Sequence, residues 1–152
     1  MTRIGRLVRR LLTGTPAAGD RRASERGQVL VIFALGATAL IGAVAIVTDV
    51  SWLWVNQQRM QRAADAAALA GSIYLPGDPM AAYAAARAEA AKNGFVDGQD
   101  GIVITPSRDN AEPRRLAVSV SGPVRPYFAR ICGCLDSVRI TADAAAEYFL
   151  PV

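Results

Sequence analysis

The sequence contains no histidine, so the side chain that most often serves as a general base or a metal ligand is absent. Its two cysteines are too few for a four-cysteine zinc site within one chain. No glycine-rich loop of the phosphate-binding type follows a predicted strand. Asp97, Asp100 and Gly101 lack the spacing and the terminal glutamate of an EF-hand, so a solvated turn is the preferred interpretation. We therefore predict a protein that is not an enzyme and has no cofactor, metal site or small-molecule substrate.

Charge is also missing from a long stretch near the N-terminus. Residues 29–47 are nineteen consecutive apolar or small residues, and Thr38 is the one hydroxyl among them. At about 1.5 Å of rise per residue, a helix of this length crosses most of a hydrocarbon layer about 30 Å thick. Thr38 can bond to the preceding turn of its own helix. The sequence predicts a transmembrane helix over residues 27–48.

The charges on either side of this run are unequal. Residues 1–26 contain seven arginines against two acidic side chains, whereas residues 49–152 contain ten basic and eleven acidic side chains. Basic residues near a membrane stay on the cytoplasmic side. We expect a basic cytoplasmic leader over 1–26 and an extracytoplasmic domain over 49–152. Because the basic residues of that domain are scattered, no nucleic-acid partner is expected.

A cleaved secretory signal is the alternative interpretation of the same stretch, with a cleavage site at Ala43-Val44-Ala45. The apolar run is longer than an ordinary signal core and continues past that site. Trp52 and Trp54 follow it, as in an aromatic belt at the outer interface. A retained anchor is therefore preferred, and a signal-cleaved secreted binding or adhesion module is the alternative.

Small residues recur on one face of the predicted membrane helix, and such a face lets a second helix approach closely. Ordinary transmembrane composition explains the same pattern, because these helices are rich in alanine and glycine. The candidate helix-packing face consists of Ala34, Thr38, Gly42 and Ala45.

The remaining patterns predict an α+β fold. If it is continuous, the first helix runs from about Gln28 to Gly71 and so extends beyond the membrane. A second, alanine-rich helix lies between Asp78 and Asn93. A small antiparallel sheet of about three strands follows, and a pilin-like architecture is compatible with this order. The strands are expected at 102–105, 116–121 and 137–148.

Two connections between the predicted strands are also assigned. Residues 106–113 are polar enough for a hairpin loop. Residues 126–131 are expected to form a short helix or turn whose aromatic side chains cap the core. In the second strand, Leu116, Val118 and Val120 are expected to face the core.

Cys132 and Cys134 are the one reactive pair of the sequence. Outside the cytoplasm, cysteines tend to oxidise. A local disulfide is preferred, bridges to another chain are an alternative, and a membrane-anchored thiol redox role is the least favoured because no environment that would lower a thiol pKa is evident.

The segment from about Arg26 to Gly71, under a third of the chain, resembles the TadE/TadG-like proteins of the Tad (tight adherence) machinery that assembles bacterial Flp pili. The resemblance rests on an Arg-Gly pair before the membrane helix, an aspartate at its outer end, and the run MQRAADAAALAG at 60–71. Residues 127–131 and the following strand are similar to the family's downstream part, more weakly. The matching motif residues are Arg26, Gly27, Asp49, Gln61, Asp65 and Leu69.

This resemblance implies a single-pass component of a Flp pilus or Tad-type secretion apparatus in the bacterial inner membrane, acting through helix–helix and protein–protein contacts. Its partners would be other pilus-assembly or secretion subunits, or further copies of itself. Pilin-type precursors are cut after a glycine and have glutamate at the fifth mature position, but here Ile32 stands at that position. Cleavage between Gly27 and Gln28 is therefore doubtful, and an uncut anchor is preferred. Asp49 either ends the apolar run or pairs with a basic group of a neighbouring subunit.

Overall fold

The computed structural model describes residues 18–108 and 111–149, with side chains from Gly27 onward. The first helix, α1, spans Ala18–Ser72. It begins about ten residues before the predicted start, because residues 18–26 are rich in Arg, Ala and Glu, which are good helix formers. Most of the predicted basic leader, residues 1–17, lies outside the described residues.

The chain divides into two compact units, residues 1–43 and 44–152. In the first unit, the hydroxyl of Thr38 donates to the carbonyl oxygen of Ala34 at 2.8 Å, as predicted. Among the described residues, one helix is long and apolar enough to cross a membrane. Its most apolar window has a mean hydropathy of 2.7, and none of it is buried.

The second helix of the chain, α2, spans Pro79–Lys92. Asp78 caps it by accepting a hydrogen bond from the Ala81 backbone N–H at 3.0 Å, and Pro79 occupies the first turn. Asn93 is the C-cap of the helix, and Gly94 follows it at φ 89°. The predicted alanine-rich helix is confirmed.

Three strands form an antiparallel sheet in the order β1-β2-β3, which confirms the predicted α+β class. They span Val103–Arg108 (β1), Arg115–Val124 (β2) and Val138–Glu147 (β3). The prediction of a loop over residues 106–113 is wrong at its start, since β1 continues to Arg108 and Pro106 pairs with Val118. Proline fits there because β1 is an edge strand.

The core lies between α1, α2 and one face of the sheet. Leu116, Val118 and Val120 are buried on that face, as predicted from their alternation. Apart from Met60, the two helices contribute only alanines to the same cluster, so they approach the sheet closely. The buried helical members are Met60, Ala64, Ala67, Ala68, Ala82, Ala86 and Ala90.

A one-turn helix, α3, spans Phe128–Ile131 and confirms the predicted short helix. The expectation that its aromatics cap the core is wrong, because Tyr127 is 55% and Phe128 is 44% exposed. Val124 and Pro126 are the buried residues before α3, so the aromatic side chains are left outside.

Candidate functional site

The site is built around Asp49, which accepts three backbone hydrogen bonds at the start of α3. Its Oδ1 atom accepts from the N–H of Tyr127 at 2.8 Å and of Phe128 at 3.0 Å. Its Oδ2 atom accepts from the N–H of Ala129 at 2.7 Å. The first N–H groups of a helix have no partner within the helix, and Tyr127 at the N-cap makes no side-chain cap bond. A carboxylate of α1 therefore caps a helix that lies nearly eighty residues later in the chain.

This carboxylate is buried, with 7% of Asp49 exposed, and no Lys or Arg of the described part of the chain forms an ion pair with it. Burial alone would raise the pKa of Asp49. The three N–H donors, that of Ala129 foremost, outweigh burial and hold the pKa below its ordinary value. Asp49 is thus a charged acceptor at neutral pH whose charge is stabilised by backbone dipoles.

The two roles predicted for Asp49 from the sequence, an end to the apolar run and a pair with a neighbouring subunit, did not include this cap. A signal for it was present in the sequence. The segment around Tyr127 predicted a helix start, yet it offers no Ser, Thr, Asp or Asn at its N-cap. Such a helix needs an acceptor from elsewhere, and Asp49 is one buried carboxylate that can supply it.

A second contact joins α1 to the free side of β3, an edge strand of the sheet. The side-chain amide of Gln57 donates to the carbonyl oxygen of Thr141 at 2.9 Å. One turn later, the amide of Gln61 donates to the carbonyl oxygen of Asp143 at 3.0 Å and to the carboxylate of Asp65 at 3.0 Å. The motif residue Gln61 therefore fastens the helix to the sheet, and Asp65 orients it.

Replacing both Gln57 and Gln61 by leucine should weaken this contact. The carbonyl groups of Thr141 and Asp143 can turn to water, so we expect the free energy of unfolding to fall by only about 1 kcal/mol. Denaturant unfolding in detergent micelles measures it. Gln58→Leu, on the exposed side of the same helix, is the control and should change stability by less than about 0.5 kcal/mol. An equal loss of stability in the double variant and in Gln58→Leu would contradict the role of Gln57 and Gln61 in fastening α1 to the sheet.

The alanines of the motif run explain how closely α1 packs. Ala63, Ala64, Ala67 and Ala68 are at most 1% exposed. At Gly71, a Cβ atom would collide with the Leu116 side chain and lie 2.7 Å from the carbonyl oxygen of Ala82. Gly71 thus lies at a close approach of α1 to both β2 and α2, where a larger side chain has no room.

The other motif residues lie elsewhere. Leu69 is 63% exposed and Asp65 is exposed, so both lie on the outer side of α1. Gly27 and Gln28, the doubtful processing site, lie inside α1, while the side chain of Arg26 is outside the described residues. The structure therefore does not bring the six motif residues together into one cluster.

The residues of the candidate helix-packing face are accessible. Ala34, Thr38 and Gly42 are exposed, and Ala45 is half-buried. A Cβ atom added at Gly42 would meet nothing within 4 Å. This face stays a prediction about contacts with another helix.

Cys132 and Cys134 directly follow α3 and are joined by a disulfide with a Cα–Cα distance of 5.4 Å. Within residues 18–108 and 111–149, no three Cys, Asp or Glu side chains lie close enough together to bind one metal ion. Asp97 instead accepts from the Ile104 N–H at 2.9 Å and pairs with Arg87 at 3.1 Å.

A shallow cleft lies beside Trp52 and Tyr127 in the second unit, residues 44–152. It combines aromatic and charged groups but no nucleophile with an adjacent base. The cleft is lined by Trp52, Asn56, Asp100, Pro123, Val124, Arg125 and Tyr127. Trp52 and Tyr127 touch across it with ring centroids 5.2 Å apart.

Comparison with known families gives a match of residues 27–91 to the TadE/G-like Flp pilus-assembly family. The matched segment comprises the apolar run, the part of α1 that follows it, and nearly all of α2. The resemblance inferred from the motif residues is confirmed over this segment, and it extends about twenty residues further. The weaker similarity around residues 127–131 lies outside it and stays a prediction. No curated protein and no solved structure matches the chain.

Proposed function

We propose that this protein is a single-pass membrane component of a Flp pilus or Tad-type secretion apparatus. It acts through helix–helix and protein–protein contacts and not through catalysis. The observation that carries the proposal is the match of residues 27–91, a segment that includes the whole apolar run, to a pilus-assembly family. The matched family is a pilus-assembly family, which supports a role in assembly over one in catalysis.

The exposed apolar side chains of α1 support membrane insertion. Val29, Phe33, Leu40 and Val44 are each at least 65% exposed, and no charged residue interrupts the run. Apolar groups exposed at this density over nineteen residues are unfavourable in water and favourable in a hydrocarbon layer. We place the chain in the bacterial inner membrane.

The unequal charges on the two sides of the run support the orientation. The leader is strongly basic and residues 49–152 are close to neutral, so the N-terminus lies inside and the domain outside. The disulfide fits this placement, because extracytoplasmic compartments are oxidising. Outside the membrane, the domain presents surfaces to other pilus-assembly or secretion subunits.

The intact mass of the protein recovered from the membrane fraction tests the proposal. We expect the uncut leader, carbonate-resistant membrane association, and cleavage of the domain by protease added to spheroplasts. The variant Leu40→Arg places a charge at the centre of the run and should lower the fraction of the protein that resists carbonate extraction.

Each alternative predicts a different N-terminus. A mature chain that begins at Ile46 would contradict the anchor and indicate a secreted module. One that begins at Gln28 would contradict the uncut leader and indicate pilin-type processing. An uncut protein whose domain is protected in spheroplasts but digested after lysis would contradict the orientation.

A further inference from the structure

The residues around α3 carry large apolar side chains that the fold leaves uncovered. Ile131 is 83% and Leu135 is 44% exposed, and Tyr127 and Phe128 are exposed to a similar degree as described above. We call these four residues the α3 patch. None of the residues of α3 is buried. Four large apolar side chains exposed within nine residues are typical of an interaction surface.

The position of this patch along α1 is set by Asp49. Val47, the last residue of the apolar run, lies two residues before Asp49, a distance of about 3 Å along a helix. Three hydrogen bonds of 2.7–3.0 Å then hold the backbone of α3 against Asp49. The start of the patch is therefore held beside the end of the apolar run, within the same compact unit of residues 44–152.

The surroundings of the patch resemble those of an interfacial element. Trp52 contacts Tyr127, and Trp54 is 66% exposed nearby along the helix. Tryptophan and tyrosine are favoured at the boundary between hydrocarbon and water. Arg125, just before α3, forms no ion pair in the described chain, and basic side chains are attracted to anionic headgroups.

We propose that the α3 patch inserts into the headgroup region of the outer leaflet, so that the domain contacts the bilayer at a second place beside its transmembrane helix. This region is roughly 5–8 Å thick on each side of the hydrocarbon core, and interfacial elements bury their apolar face to about this depth. The inference rests on the proposed membrane anchor. Its occupant is lipid, because Asp49 holds the start of the patch two residues beyond the end of the apolar run, where Val44, Val47 and Val50 are exposed.

Photo-crosslinking in the full chain tests the proposal. p-Benzoyl-phenylalanine is placed at Ile131 in protein reconstituted into phosphatidylglycerol–phosphatidylethanolamine vesicles, and adducts are identified by mass. The same residue at Phe33 reports on the anchor itself. At Met80, which is 75% exposed and lies beyond the far end of α1, it is the matched negative control.

We expect phospholipid adducts at position 131 at least fivefold above those at position 80. Lipid adducts at position 33, together with adducts at position 131 no more abundant than those at position 80, would overturn the insertion of α3. The anchor would then remain supported. A protein adduct at 131 in place of lipid, in vesicles or in cells, would overturn it as well and indicate a subunit contact. Absence of lipid adducts at 33 would instead contradict the proposed anchor, and the inference with it.

Discussion

Amide hydrogen exchange at Tyr127, Phe128 and Ala129 should become at least about tenfold faster when Asp49 is replaced by alanine. In the native protein these three N–H groups donate to a single carboxylate at 2.7–3.0 Å. Alanine leaves them without an acceptor, and the four-residue α3 has no cap of its own. Exchange followed by mass spectrometry in detergent micelles measures the effect. Strands β1 and β2 should keep their protection.

Asp65→Asn is the control, because it neutralises an exposed carboxylate on the same helix. It should leave exchange at α3 unchanged, and an equal acceleration would show that charge on α1, not the cap, is responsible. Low pH offers an independent check. The pKa of Asp49 is lowered, so the cap is intact at neutral pH and is lost as the pH falls through that pKa, below the ordinary carboxyl value near 4. Protection factors at α3 should fall there, and Asp49→Ala should abolish the pH dependence.

Gly71→Val should destabilise the domain by about 3 kcal/mol, the upper end of the range for overpacked cores. The first added carbon already collides with Leu116 and approaches the backbone oxygen of Ala82 to 2.7 Å. A backbone oxygen cannot move aside as a flexible side chain does. Thermal unfolding should therefore shift down by roughly 10 °C or more, measured by circular dichroism in micelles.

Gly36→Val is the matched control on the same helix. A Cβ atom there meets nothing within 4 Å, so the unfolding temperature of the domain should stay within about 2 °C. If Gly71→Val were equally harmless, α1 could not be packed as closely as the structure shows.

Much of this architecture could be predicted from local patterns. The alternation of Leu116, Val118 and Val120 predicted their burial, and Asp78 with Pro79 predicted the start of α2. These patterns succeed because the interactions behind them are between residues that are neighbours in the sequence or on one face. The same holds for Thr38, whose hydroxyl bonds to its own helix.

The contacts that form the candidate site could not be predicted in this way. Asp49 meets α3 from 78 residues away, and Gln57 meets Thr141 from 84 residues away. A local window contains one partner of each pair and no information about the other. The exposure of Phe128 has the same origin, because its environment depends on where Asp49 holds α3 and not on its own hydrophobicity.

The glutamines on α1 also limit how such molecules can associate. An open sheet edge is a template on which another chain can add a strand. Along β3 the carbonyl groups of Thr141 and Asp143 are already engaged by Gln57 and Gln61. The opposite edge, β1, carries Pro106, which lacks an N–H to donate. Both edges are thus poor templates for strand addition, so another copy of this domain cannot readily extend the sheet at either side.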